Sequence, residues 1–406
     1  MPRDIFGNYT LPALNPVVTG TTISSAWANN TLNDIATALT ASLSIDGSVT
    51  TAKLADNSVT TNKLAANAVT TTDILDANVT LPKIDQNLMQ GISNPNYLVN
   101  GAMQWYQGGI TFTSGTGARY VADQVCEKSV GTTYTCNRIA FTPGTSPPVQ
   151  DAQAYIETVV TSVNSAANYC NLNFPIESVR TLAGQSVTFS FWANVSVNNA
   201  IAVSVLQNFG TTGSPSTAVE TYIQQISLVA ASGWARYSCT FTMPSVSGKT
   251  LGTDSSSDFT CIRIWMDSNT GTSSLTGALG QHSGTYRFWG VKLEAGSVMT
   301  AFTIPDVYLE QLRCYRFLVN RESSSGFQPL IFSGNVTSGQ LYYCHSIFPA
   351  QMRTTPSMVY VQFGTANLAT GTGTSSPWGT ELSLTATGTG AAIWSGAFAA
   401  DARYVV

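Results

Sequence analysis

The scarcest chemically capable side chains in this sequence are two histidines, His282 and His345, and seven cysteines, at positions 126, 136, 170, 239, 261, 314 and 344. A zinc site or a Cys–His nucleophilic pair would need one of those histidines, and neither stands at ligand spacing from a cysteine. There is no C-x-x-C pair and no G-x-S-x-G, H-E-x-x-H or G-x-x-x-x-G-K-[ST] string. Cys239 and Cys261 sit inside strand-like runs, where a cysteine serves as a small buried apolar residue. The odd count argues against a secreted disulfide framework, so reduced core thiols and a reducing cytoplasm are expected. Asp254, Asp258, Asp267 and Asn269 carry the oxygen ligands that calcium prefers. Their spacing is not that of an EF-hand, and ordinary loop polarity is the simpler reading. No catalytic residue, metal or cofactor is expected, and the chain does not read as an enzyme.

Composition narrows the partners. The chain has 406 residues, with 18 Lys and Arg against 22 Asp and Glu, so 10% is charged where about 25% is usual. Its 53 Thr and 43 Ser must supply the surface polarity instead. A net charge of −4 with only six lysines gives no footprint for phosphates, which argues against a nucleic-acid partner. No apolar run approaches the ~18 residues of a membrane span, and the N-terminus lacks a basic-then-apolar leader. Neither membrane insertion nor standard secretory export is expected. With 17 Phe, 16 Tyr and 8 Trp, the chain can build sizeable cores.

The elements that would position these residues follow from pattern. Residues 1–22, with Pro2, Pro12 and Pro16, read as an extended arm. Residues 23–46 read as a helix capped by Ser24 or Ser25, with a seam of Ala28, Leu32, Ile35 and Leu39 at steps of four and three. So narrow a seam on a lone helix predicts association with copies of itself. Residues 47–90 contain four decamers, SVTTAKLADN, SVTTNKLAAN, AVTTTDILDA and NVTLPKIDQN. They place Val49, Val59, Val69 and Val79 in one apolar column and Leu54, Leu64, Ile74 and Ile84 in another. Two large apolar side chains per repeat cannot enclose a core within one chain, whereas several chains wound on a common axis bury both columns. Each decamer is expected as a short strand plus a helical turn; a flexible linker is the competing reading.

Residues 91–318 alternate apolar and polar in about ten runs separated by Gly, Pro, Ser and Asn clusters, RYVADQVCEK and FTCIRIWMD among them. That pattern predicts an antiparallel β-sandwich, a jelly roll. Within it, DVYLEQLRCYRFL reads as a helix capped by Asp306, with Tyr308, Leu309, Leu312 and Tyr315 on its apolar face. Residues 319–406 return to short strands (GQLYYCHSIF, SMVYVQF, ELSLTAT) as a smaller β module. The expected fold class is mainly β, in an elongated homotrimeric fibre with an intertwined repeat shaft.

Taken in order, these segments resemble a bacteriophage tail fibre. GNYTLPALNPVVTGTTISSAWANNTLNDIATALTASLSIDG is similar to the virion-attachment segment of short phage fibres, and the decamers to the V-T-T-x-K-(I/L)-A-(D/N) repeats of trimeric shafts. NYLVNGAMQWYQGG at 96–109 and VKLEAGSVMTAFTIPDVYLEQLRCYRFL at 291–318 resemble the two ends of that family's carbohydrate-binding-like jelly roll. FPAQMRTTP at 348–356 resembles the F-P-x-x-M-R-x-x-P segment that follows. Gln107 departs from a frequent arginine, Gln124 and Val125 from an Arg-Trp pair, and Cys-Tyr-Arg at 314–316 from Cys-Gln-Arg.

The resemblance implies a homotrimeric virion protein assembled in the host cytoplasm. Phe6, Tyr9 and Leu11 would attach it to other phage tail proteins, and the seam and decamer columns would trimerise it. Its distal β domains would recognise the host by binding bacterial surface glycan or lipopolysaccharide. Low charge with many hydroxyls and aromatics suits such a ligand, since rings stack on sugars and short polar groups bond their hydroxyls. Trp378, in the loop TGTSSPWGT, and Trp394 are candidate receptor contacts; for Trp378 exposure and packing are equal readings, whereas for Trp394 packing at the trimer interface is preferred. Of Tyr342 and Tyr343, adjacent on a strand, one must face outward, and His345 shares the face of Tyr343. Two other functions compete: a tailspike that cleaves capsule, and a structural collar or adaptor fibre without a receptor.

Overall fold

The computed structural model describes residues 20, 22 and 24–43, short stretches between 59 and 74, and 95–404 apart from 109–110, 114–116, 143–147, 149–150, 255 and 322–328. The chain divides into two compact units, Met1–Thr80 and Leu81–Val406.

In the first unit a helix spans Ser25–Leu43, and the Ser24 hydroxyl caps it by accepting the Trp27 N–H at 3.2 Å. Leu32 and Ile35, on the seam, are exposed, as are Val59, Leu64, Val69 and Ile74 of the repeat columns. In the third repeat the Asp73 carboxylate accepts from both the main-chain N–H and the hydroxyl of Thr70, each at 2.7 Å. Those bonds hold its carboxyl below the usual range. Val49, Leu54, Val79, Ile84, the side chain of Leu39 and the arm residues Phe6, Tyr9 and Leu11 lie outside the described residues. No helix among the described residues is long and apolar enough to cross a membrane.

The second unit begins with a β-sandwich. One six-stranded sheet runs β1 (Thr111–Thr113), β4 (Thr133–Ala140), β5 (Ala154–Thr161), β12 (Gly284–Ala295), β7 (Ser186–Val195), β10 (Ala235–Thr242). The other runs β2 (Gly117–Ala122), β3 (Val125–Val130), β6 (Tyr169–Glu177), β11 (Phe259–Asp267), β8 (Asn199–Asn208), β9 (Val219–Leu228). The orders 5-12-7-10 and 6-11-8-9 send successive strands to opposed sheets except at the β8–β9 hairpin, which is jelly-roll topology. Phe174, Ile262 and Ile264 from one sheet meet Phe189, Phe191 and Phe288 from the other in a single core.

Two expectations need correction. RYVADQVCEK is not one strand but the hairpin β2–β3, turning at Asp123–Gln124 with Gln124 at φ 60°. No glycine marks that turn; it is held by the buried Asp123 carboxylate, which accepts the Gln107 N–H and amide at 2.8 and 2.7 Å. Gln107 also bonds the Leu318 carbonyl and the Asn320 N–H, so it ties the hairpin to the following module. The helix Val307–Tyr315 is capped by Asp306, which accepts the Tyr308 and Leu309 N–H groups at 3.0 Å. Its buried face, however, is Glu310 and Cys314, with Tyr308 and Leu309 exposed. A buried carboxylate is tolerated there because Glu310 accepts the Asn100 N–H and pairs with Arg313 at 2.9 Å.

The C-terminal module packs two sheets. In one, β13 (Leu318–Arg321), β14 (Leu330–Val336) and β16 (Ser357–Ala366) all pair with the long β19 (Gly390–Asp401). The other runs β15 (Leu341–Ile347), β18 (Gly379–Ala386), β17 (Leu368–Ser376). Leu382, Leu384, Phe398 and Trp394 fill the space between. Trp394 is fully buried and its indole N–H donates to Thr370 Oγ1 at 2.9 Å, so it is a core residue of its own module and no receptor contact. The chain then returns to the sandwich, where the Tyr404 ring packs on Phe259 at 4.6 Å between centroids and under the Arg353 guanidinium. All seven cysteines are buried and unbridged.

Candidate functional site

The outer face of the β15–β18–β17 sheet is built by alternation. Cys344, Leu382 and Leu384 point into the module, so Tyr343, His345, Glu381 and Ser383 point out. Register places His345 opposite Glu381 and Tyr343 opposite Ser383. His345 Nε2 lies 2.6 Å from Glu381 Oε2, and the rings of Tyr343 and His345 are 6.3 Å apart. Trp378 stands in the β17–β18 turn, its side chain 61% exposed.

That turn is fixed although its indole is free. The carbonyls of Pro377 and Trp378 accept the N–H groups of Met352 and Phe348 at 2.8 and 2.9 Å. A Cβ on Gly379 would come within 2.6 Å of the Ser346 carbonyl, so only glycine lets the turn close on β15. Between turn and strands lies an open cleft of about 440 Å³, lined by Trp378, His345, Glu381, Ile347, Thr374 and Ser376. Trp378 and His345, 33 positions apart in sequence, thus share one cleft, with Tyr343 beside it on the same sheet face. Glu381 was missed at the sequence level. Its only signal was the alternation of ELSLTAT, which puts it on the polar face but says nothing of its register with His345.

The arrangement offers a flat indole held by a rigid turn, a carboxylate beside an imidazole, and hydroxyls lining the same cleft. Such a set stacks on a C–H face and bonds neighbouring hydroxyls of a neutral ligand.

Elsewhere the polar groups serve the fold. On the outer face of β11, Arg263 pairs with Glu220 at 2.6 Å and the Trp265 indole N–H donates to Ser204 at 2.8 Å. Phe317 and Tyr404 pack over one end of this face, and Leu275 and Leu279 over the other, so Arg263 and Trp265 are buried. The four candidate calcium ligands do not converge. Asp267 accepts from Thr132, Ser162 and the His282 N–H; Asp258 from Ser178 and Val179; Asp254 from Ser256. Among the described residues no group of three His, Cys, Asp or Glu is placed to hold a metal ion.

No family model matches the sequence, and no curated protein is similar to it. Alignments to solved structures cover part of the chain. The enzymatically active domain of bacteriophage CBA120 tailspike protein 4 aligns over 50% of this chain and 21% of its own, at 12% identity and TM-score 0.27. A xylan-binding domain from Paenibacillus barcinonensis aligns over 51% of this chain and 98% of its own, at 9% identity and TM-score 0.28. A family 11 carbohydrate-binding module from Clostridium thermocellum, solved with a mixed-linked tetrasaccharide, aligns over 46% and 99%, at 12% identity and TM-score 0.26.

Proposed function

We propose that this chain is a homotrimeric phage tail-fibre protein that binds bacterial surface glycan in the cleft beside Trp378. The observation that carries the glycan reading is the exposed indole fixed in one cleft with the His345–Glu381 pair. Among the described residues Glu381 is the one carboxylate lining that cleft, whereas glycoside hydrolysis ordinarily needs two flanking the scissile bond. That lining supports binding without turnover. Exposed apolar columns at Leu32, Val59, Leu64, Val69 and Ile74 support assembly from several copies. Attachment to the tail through Phe6, Tyr9 and Leu11 rests on the sequence resemblance.

Purified chain added in excess to host cells separates the competing functions. A receptor-binding fibre blocks phage adsorption. A collar or adaptor leaves adsorption unchanged, and a capsule-cleaving tailspike releases reducing sugar.

A further inference from the structure

The charge of the cleft beside Trp378 is one-sided. Between Leu330 and Ala386 the only Asp, Glu, Lys or Arg residues are Arg353 and Glu381. Arg353 is committed elsewhere: its Nε donates to the Ala402 carbonyl at 2.9 Å, and its guanidinium lies 3.9 Å over the Tyr404 ring. Among the described residues no lysine or arginine lines the cleft, and His345 is the one other titratable group in its wall. Glu381 engages His345 through Oε2, while its Oε1 accepts no hydrogen bond among the described residues. The side chain is 41% exposed, which leaves it within reach of a ligand. The Trp378 indole lines the same cleft, and none of the described rings stacks on it.

We propose that Glu381 and Trp378 make this cleft prefer a sugar bearing a protonated amine to the neutral form of that sugar, and the neutral form to an acidic one. The inference rests on the glycan reading of the cleft and names the class of glycan it takes. An ammonium is drawn to the negative face of an indole ring and donates charge-assisted hydrogen bonds to a carboxylate. Both of those partners line this cleft. A neutral sugar uses the same indole and hydroxyls without that added attraction. A uronate or phosphate would lie beside Glu381 with no lysine or arginine to pair it, and like charges repel more where water is partly excluded. A neutral imidazole at His345 bonds the carboxylate without cancelling its charge.

The test is a glycan array carrying the amino, neutral and uronic acid forms of common hexoses, probed with the full-length native chain and with Glu381→Gln. For a hexose that is retained, the native protein should bind the amino form at least about tenfold more tightly than the neutral form. It should bind the acidic form at least about tenfold more weakly, each step being the equivalent of ~1.4 kcal/mol. Glu381→Gln should bring the three forms within about threefold of one another. Its binding of the neutral form should stay near native, which also reports an intact fold. Raising the salt should shrink the native preference, as screening requires. The net charge of −4 draws amines to the whole surface, but the variant changes it by one only. An order of binding that survives in Glu381→Gln therefore belongs to the general surface and overturns the proposal. Equal binding of the three forms by the native protein overturns it too, with the glycan site intact. Retention of no form of any hexose would overturn the glycan reading, and the preference with it.

Discussion

The hydroxyl of Tyr120, on the second sandwich strand, donates to the main-chain carbonyl of Tyr404 across 2.7 Å. It joins the sandwich to the returning end of the chain, whose ring fills a space bounded by Phe259 and Phe317. Truncating the ring in Tyr404→Ala should lower stability by roughly 3 kcal/mol, since a large buried side chain leaves a cavity. Tyr120→Phe, which removes only the hydrogen bond, should cost about 1 kcal/mol. Denaturant unfolding monitored by tryptophan fluorescence measures both; a Tyr404→Ala midpoint equal to the native one would contradict the clamp.

Glu127 predicts how stability depends on pH. It lies in the sandwich beside Cys170, and burial pushes its carboxyl from 4.5 up to about 7 against bonds from Tyr134, Cys170 and Ser129. The folded state therefore prefers the neutral acid. Its contribution is fully present below about pH 4.5 and is lost as pH rises through 7, amounting to ~3 kcal/mol by pH 9. Unfolding midpoints at pH 5, 7 and 9 should fall in that order from this group, and Glu127→Gln should flatten the trend. An unchanged slope in the variant would rule Glu127 out as its source.

The seven cysteines should be silent in the native protein. Burial pushes the thiols of Cys239 and Cys261 up to about 12, far from the thiolate form that reacts. Ellman's reagent should find almost no thiol before unfolding and seven after it. Fast titration of one or more thiols in the native state would show a core looser than this one.

The two C-terminal tryptophans should respond oppositely to truncation. Trp394→Ala removes a fully buried ring and two hydrogen bonds, and should cost 3 kcal/mol or more, as large-to-small core changes do at roughly 3–5 kcal/mol. Trp378→Ala, at an exposed site, should stay within about 0.5 kcal/mol of the native protein. Thermal melts of the two variants decide the point; a large loss in Trp378→Ala would make that indole a packing residue.

What could be read from the sequence follows from how local each signal is. The strands were legible because alternation is written in consecutive residues, as in SVTFSFWANV and ELSLTAT, and the Asp306 cap because it acts two and three residues away. The Asp123–Gln124 turn was hidden because its stabilising partner, Gln107, lies 16 residues upstream. The buried face of the Val307–Tyr315 helix was misjudged because Glu310 is made tolerable by Asn100, a contact across 210 residues. Pro377 and Gly379 mark Trp378 as a loop residue, whereas the burial of Trp394 in the core of its own module depends on packing that no local pattern states. Likewise, His345 could be assigned a face but not its partner Glu381, because register between strands 36 residues apart is a tertiary property.

Binding of the full-length chain to an array of bacterial surface glycans, native against Trp378→Ala, tests the central claim most directly. The native protein should retain at least one neutral glycan. The variant should bind it at least about tenfold more weakly, the equivalent of ~1.4 kcal/mol, with its melting temperature unchanged. Equal binding by the two proteins, or retention of no glycan by the native one, would contradict a glycan site beside Trp378.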